Sequence, residues 1–100
     1  MEDVTEDQTP GVLWEVRRER KNQDLKWGQQ DHGDFEWVSI LTEEVGEAAT
    51  DANEANFPSG RNVGDYSLLR SELLQVAAVA VAWVEAIDRR MSIRKTDSGG

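Results

Sequence analysis

Four side chains in the middle of this chain have the types and spacing to do chemistry: Glu44, Glu47, Glu72 and Gln75. Glu44 and Glu47 are three apart, so on a helix both reach one point on its flank, and Gln75 follows Glu72 by one turn. If the two helices pack antiparallel, the four converge. Oxygen donors with no thiolate or imidazole suit a hard divalent cation, Mg²⁺ with Mn²⁺ as its substitute. Mg²⁺ keeps waters and takes substrate phosphates as further ligands, so such a cluster near basic residues suggests phosphate chemistry. Other readings stand beside this one. Glu44 and Glu47 can belong to a solvated acidic face. Glu72 can form a salt bridge to Arg70 or to an arginine of the first helix, or sit in an exposed first turn favoured by the helix dipole.

Three helices must position these residues, and no strand pattern is visible. Thr9-Pro10 reads as an N-cap and first helical position for a helix running to about Trp27, with Leu13, Val16 and Arg20 on one side. Gly28 and the polar run to Gly33 break it. Asp34 is the expected N-cap of a second helix to about Asn53, whose apolar stripe is Phe35, Val38, Leu41, Val45, Ala48, Ala49 and Ala52. Ile40, Glu44, Glu47 and Asp51 form the adjoining ridge. Gly46 costs about 1 kcal/mol relative to Ala, which suggests a neighbour packed close to it. Asp65 or Ser67 caps a third helix running to Arg89 or Arg90. Its centre, Leu73 to Val84, is apolar on every side, so other helices must surround it. Two partners from one chain hardly suffice. The expected fold is all-α, a bundle of three main helices per chain completed by oligomerisation.

Composition narrows the classes. One hundred residues make one domain with a thin core, read here as residues 10–91 between disordered tails at 1–9 and 92–100. Eleven Lys and Arg against twenty Asp and Glu give a net charge of −9, which argues against nucleic acid polymers and anionic membranes as partners. Residues 1–9 carry −4 and residues 92–100 carry +1, leaving −6 for residues 10–91. Eight acids and no Lys or Arg lie between Asp31 and Glu54. The absence of cysteine fits a reducing setting. The run from Leu73 to Val84, broken only by Gln75, is 12 residues and short of the roughly 20 that span a bilayer. The acidic start lacks the pattern of a signal peptide. A cytoplasmic location is expected.

Ile40-Leu41-Thr42-Glu43-Glu44-Val45-Gly46-Glu47-Ala48-Ala49 resembles the EExxE motif of the all-α nucleoside triphosphate pyrophosphohydrolases, the MazG-like superfamily. Arg70-Ser71-Glu72-Leu73-Leu74-Gln75-Val76 sits where that family carries ExxD, and the twenty-four residues between Glu47 and Glu72 agree with its separation. The resemblance covers roughly residues 10–90. It implies a MazG-like helical homodimer or homotetramer that binds Mg²⁺ and cleaves nucleoside triphosphates to monophosphate and pyrophosphate. Carried over by position, Glu44, Glu47 and Glu72 match metal ligands. Glu43 matches the leading acid and is the candidate catalytic proton acceptor. Two positions depart from the pattern: Gln75 replaces the family's Asp, and Leu68 stands where a Lys is frequent. The first weakens metal affinity or lowers the number of metals. It also leaves room for a noncatalytic MazG-like helical oligomer that uses the acids for a metal or a partner.

Substrate contacts are sought among the basic and aromatic residues. Lys26-Trp27-Gly28 precedes the second helix much as in MazG-like proteins, and Trp27 could stack on a base. Arg61 or Arg70 could substitute for the missing lysine against phosphate. Arg17, Arg18, Arg20 and Lys21 form either a solvated face or a surface that meets the acids or a triphosphate. His32 suits a turn or cap, Trp14, Trp37 and Trp83 suit packing, and Asp51 is an auxiliary acid near the ridge.

Overall fold

The structure is a computed structural model and describes residues 7–99, with side chains through residue 93. It is all-α: α1 (Thr9–Trp27), α2 (Asp34–Asn56) and α3 (Ser67–Gly99). Residues 1–6 of the expected N-terminal tail lie outside the described residues, whereas residues 92–99, expected to be a disordered tail, are the last turns of α3. The molecule is elongated, about 60 × 37 × 21 Å, because α3 alone is 33 residues long.

Each helix end shows why it falls where it does. Residue Thr9 is already helical, with Gln8 at the cap and Pro10 inside the first turn, where a missing N–H costs nothing. Instead of Thr9 capping, the Asp7 carboxylate accepts the Thr9 N–H at 3.0 Å. Gly28 ends α1 at φ 74°, a conformation that glycine adopts without strain. The α2 cap is Gly33, whose N–H is accepted by Glu36 at 2.9 Å. Asp34, expected to cap, instead makes a tertiary clamp: its carboxylate accepts from Trp83 Nε1 at 2.9 Å and from Arg90 at 3.0 Å. Those two donors hold its pKa below the usual carboxylate range, Trp83 contributing most.

Helix α2 runs three residues beyond Asn53, because the following loop folds back on it. Asn62 N–H donates to the Glu54 carbonyl and Gly64 N–H to that of Ala55. Gly60 is required there, since a Cβ would lie 2.2 Å from the Glu54 carbonyl oxygen. Asp65 accepts both the backbone N–H and the hydroxyl of Ser67, the expected start of α3. Beyond Arg90, where the sequence places its end, α3 continues as helix to Gly99.

Helix α3 is the spine. α2 lies antiparallel along it, with Asp34 near Trp83 and Arg90, and Glu44 near Glu72. α1 packs on another side through Arg20–Glu85 and Glu15–Arg70 pairs. The core centres on Trp37, 2% exposed, with Val79, Ala82 and Ala86 and the flanking Ile40, Leu41 and Trp83. Alanines at 48, 55, 78, 82 and 86 let the backbones approach around that single large ring.

Two expectations about packing change. The buried stripe of α2 passes through Trp37, Ile40, Leu41, Glu44, Ala48 and Ala55, so it is rotated onto the acidic ridge. Phe35, Val38 and Val45, read as core, are exposed, with Phe35 at 90%. Gly46 has nothing within 4 Å of where a Cβ would stand. The second change concerns α3, which α1 and α2 leave uncovered along Leu73, Val84 and Met91. From Ser67 to Ile93 it is also long and apolar enough to cross a membrane by length and composition, well beyond the 12-residue run counted in sequence.

Trp37→Ala should therefore cost about 3–5 kcal/mol of unfolding free energy, the usual range for emptying an aromatic core site. Phe35→Ala should leave the unfolding free energy of the isolated chain almost unchanged. Urea denaturation of the two variants at low protein concentration checks both.

Candidate metal centre

The antiparallel pairing of α2 on α3 brings the acids together. Glu44 and Glu72 are half-buried and Glu47 is exposed, and each offers a carboxylate oxygen within 4.8 Å of the others. No ion pair reaches any of the three among the described residues. Arg70, considered as a partner for Glu72, is held by Glu15 on α1 at 2.9 Å instead. The ring of negative charge therefore lacks a protein cation.

Its electrostatics record that strain. The Glu72 carboxyl is pushed up to about 8. The first cause is its hydrogen bond with Glu44, followed by burial and then by the charges of Glu44, Glu47 and Asp51. Glu72 Oε2 is buried without a hydrogen-bond partner. A carboxylate oxygen in that position calls for a proton or a cation. The residues fit a hard divalent ion: three carboxylates without nitrogen or sulfur could hold one, with further positions left for water or phosphate.

Beside the acids lies a cavity of about 590 Å³. Glu44, Gln75, Ile40 and Val79 form one wall, Asn22, Gln23 and Lys26 come from α1, and Trp27, His32 and Trp37 close it. The volume lies within the range of small-molecule sites. Lys26 Nζ sits 5.0 Å from the centre of the Trp27 ring, a cation–π contact that forms a basic and aromatic lip. His32 packs edge-on to Trp37 at 4.9 Å. His32 Nε2 and Trp37 Nε1 are both buried without protein partners.

The structure thus brings Glu44, Glu47 and Glu72 together and puts Gln75, Lys26 and Trp27 on the adjoining cavity. Glu43 lies exposed on α2, outside that lining. Arg61 pairs with Glu54 at 3.1 Å and Arg70 with Glu15, and neither lines the cavity. Arg20 is likewise occupied, by Glu85 and Asp24, and Arg18 lies over Trp14. Glu19, Asn22, Gln23 and Gln30 line the cavity without having been singled out in the sequence, and His32 and Trp37, read there as a turn residue and a packing residue, line it as well. One signal was available: the ridge of Ile40, Glu44, Glu47 and Asp51, continued back by one turn, reaches Trp37.

No protein-family model, curated protein or solved structure matches this chain. What stands on the coordinates is an all-α three-helix protein with an acid cluster that could hold a metal ion.

The raised Glu72 pKa has a definite sign. Its folded value of about 8 exceeds the ordinary 4.5, so its contribution to stability is complete below about 4.5 and is lost as pH rises toward 8. Without metal, thermal stability should fall across that window, and Glu72→Gln should flatten the slope. Added Mn²⁺ should raise the melting temperature of the wild type most at the alkaline end. Scanning calorimetry at several pH values, with and without Mn²⁺, measures all three.

Proposed function

We propose that this chain is a Mg²⁺-dependent nucleotide pyrophosphohydrolase of the MazG-like type, cytoplasmic and working as a homodimer or homotetramer. The observation that carries this reading is the convergence of Glu44, Glu47 and Glu72, with an unpartnered buried carboxylate oxygen, at the edge of a cavity lined by Lys26 and Trp27. The EExxE-like run from Glu43 to Glu47 and the Glu72–Gln75 pair supply the family likeness.

Glu44, Glu47 and Glu72 would hold Mg²⁺, with the Gln75 amide oxygen as a weaker neutral donor. The ion supplies Lewis acidity and countercharge to the polyphosphate. The protein's own groups do the rest. The cavity takes the base and sugar of a nucleoside triphosphate, with the Trp27 ring available for stacking and Lys26 for a phosphate. Water adds across the anhydride between the α- and β-phosphates, giving monophosphate and pyrophosphate. Glu43, acidic and not among the converging ligands, takes the proton that the water loses.

Calorimetric titration with Mn²⁺ and an assay of pyrophosphate release over a panel of nucleoside triphosphates test this together. Wild type should bind Mn²⁺ saturably and Glu47→Gln should lose that binding. Glu43→Gln should slow turnover by roughly 10²-fold or more while keeping the metal. Gln75→Asp should tighten metal binding and raise turnover. Metal binding without release of pyrophosphate in either the wild type or Gln75→Asp would make this a binding module. No Mn²⁺ binding, even beside a nonhydrolysable triphosphate, would remove the metal as well.

A further inference from the structure

The side of the α2–α3 layer opposite the acids is apolar, open and patterned. On α3, Leu73, Ala77, Ala80, Val84, Ile87 and Met91 recur at steps of four and three. That alternation makes a seam about 27 Å long. Leu73, Val84 and Met91 are 51%, 56% and 61% exposed, and the intervening residues are half-buried. On α2, Phe35, Val38, Thr42, Val45 and Ala49 recur at steps of three and four, and all are exposed. Projected at 100° per residue on an antiparallel pair, both stripes turn to the same side of the layer, away from the cavity. Gly46 borders the α2 stripe, with open space where its Cβ would be.

We propose that this face binds a second copy of the same chain, α3 lying antiparallel on α3 about a two-fold axis level with residue 82. In that register all six seam residues pair. Leu73 meets the partner's Met91, Ala77 meets the partner's Ile87, and Ala80 meets the partner's Val84. A small residue faces a larger one at each of the two inner layers, which is how interdigitating helices fill space without voids. The two α2 stripes flank the paired spines, giving a four-helix core with both cavities facing outward. Together the two stripes leave on the order of 600 Å² of apolar surface open per chain. That is at the top of the roughly 300–600 Å² of a typical monomer's largest patch and approaches the roughly 800 Å² per partner of a stable interface.

A bilayer is the other surface that α3 could meet by length and composition. Its remaining faces argue against that. Glu85 is paired with Arg20, Arg89 with Asp31 and Arg90 with Asp34. Inserting α3 would strip these pairs or carry them into hydrocarbon. The chain as a whole carries −9, which disfavours anionic lipid. The inference specifies the assembly within the reading above and is independent of what the acids bind.

Sedimentation equilibrium of the full chain should give a dimer or a multiple of one, and Val84→Glu should give a helical monomer. The chain has no cysteine, so introduced ones report register cleanly. The double variant Ala80→Cys, Val84→Cys should cross-link to a covalent dimer on mild oxidation, and Ala80→Cys alone should not. Cross-linking by the single variant as efficiently as by the double would overturn the antiparallel register. A wild type that remains oligomeric with Val84→Glu would place the interface elsewhere while leaving the assembly intact. A monomeric wild type that floats with phosphatidylcholine vesicles would assign the face to lipid, and a monomer that ignores vesicles would sink the proposal outright. Loss of Mn²⁺ binding with the dimer retained would touch the pyrophosphohydrolase reading alone.

Discussion

Burial of the Trp37 indole against α3 is the packing event on which the other features rest. Among the described residues it is the one large side chain fully enclosed, and the rest of the core is alanine and valine. Seating it sets the rotation of α2, and the rotation of α2 decides everything one turn further along. Glu44 is drawn to the α3 contact, Glu47 stays on its edge, and Phe35, Val38 and Val45 are turned out. A rotation by about one residue's worth of arc would reverse those assignments, because neighbouring helix positions are 100° apart. The clamp from Asp34 to Trp83 and Arg90 secures the same rotation at the other end of the contact.

That rotation carries an electrostatic cost that the protein does not offset internally. Three carboxylates converge where burial and mutual repulsion lift the Glu72 pKa to about 8. Arginines that would neutralise them are committed elsewhere: Arg20 to Glu85, Arg70 to Glu15, Arg61 to Glu54. Structural acid clusters are normally relieved by such partners, and a cluster denied them is where a cation or a proton stabilises most. The adjoining cavity has the complementary character, with a basic lip at Lys26 and Trp27 and unused polar atoms on His32 and Trp37.

The two sides of the α2–α3 layer thus have opposite chemistry. One is polar, concave and flanked by α1, and the other is apolar and uncovered. A helix as apolar as α3 has more surface than two neighbours can cover, and α1 and α2 on their separate sides leave the line of Leu73, Val84 and Met91 open. The resulting asymmetry separates the surface suited to a ligand from the surface suited to another helix pair.

Much of this was legible in the residues alone. Three helices, the approximate limits of the first two, and the placing of Glu44 with Glu47 on one helix flank follow from apolar spacing, turn residues and the i to i+3 rule, all of which are local, whereas the arrival of Glu72 beside them required the antiparallel packing of α2 on α3. The excess apolar surface of α3 was equally plain, since its periodicity leaves no polar face. What sequence could not decide was which of two apolar arcs on α2 faces its own chain. Phe35, Val38 and Val45 score as well as Trp37, Leu41 and Ala48 on any projection. The choice depends on volumes that fit against α3, a nonlocal property. The same holds for ion pairing. Arg61 and Arg70 are available cations in the sequence, but the folded chain gives them Glu54 and Glu15. Long flexible side chains take the nearest acid, and only the packed helices say which acid that is.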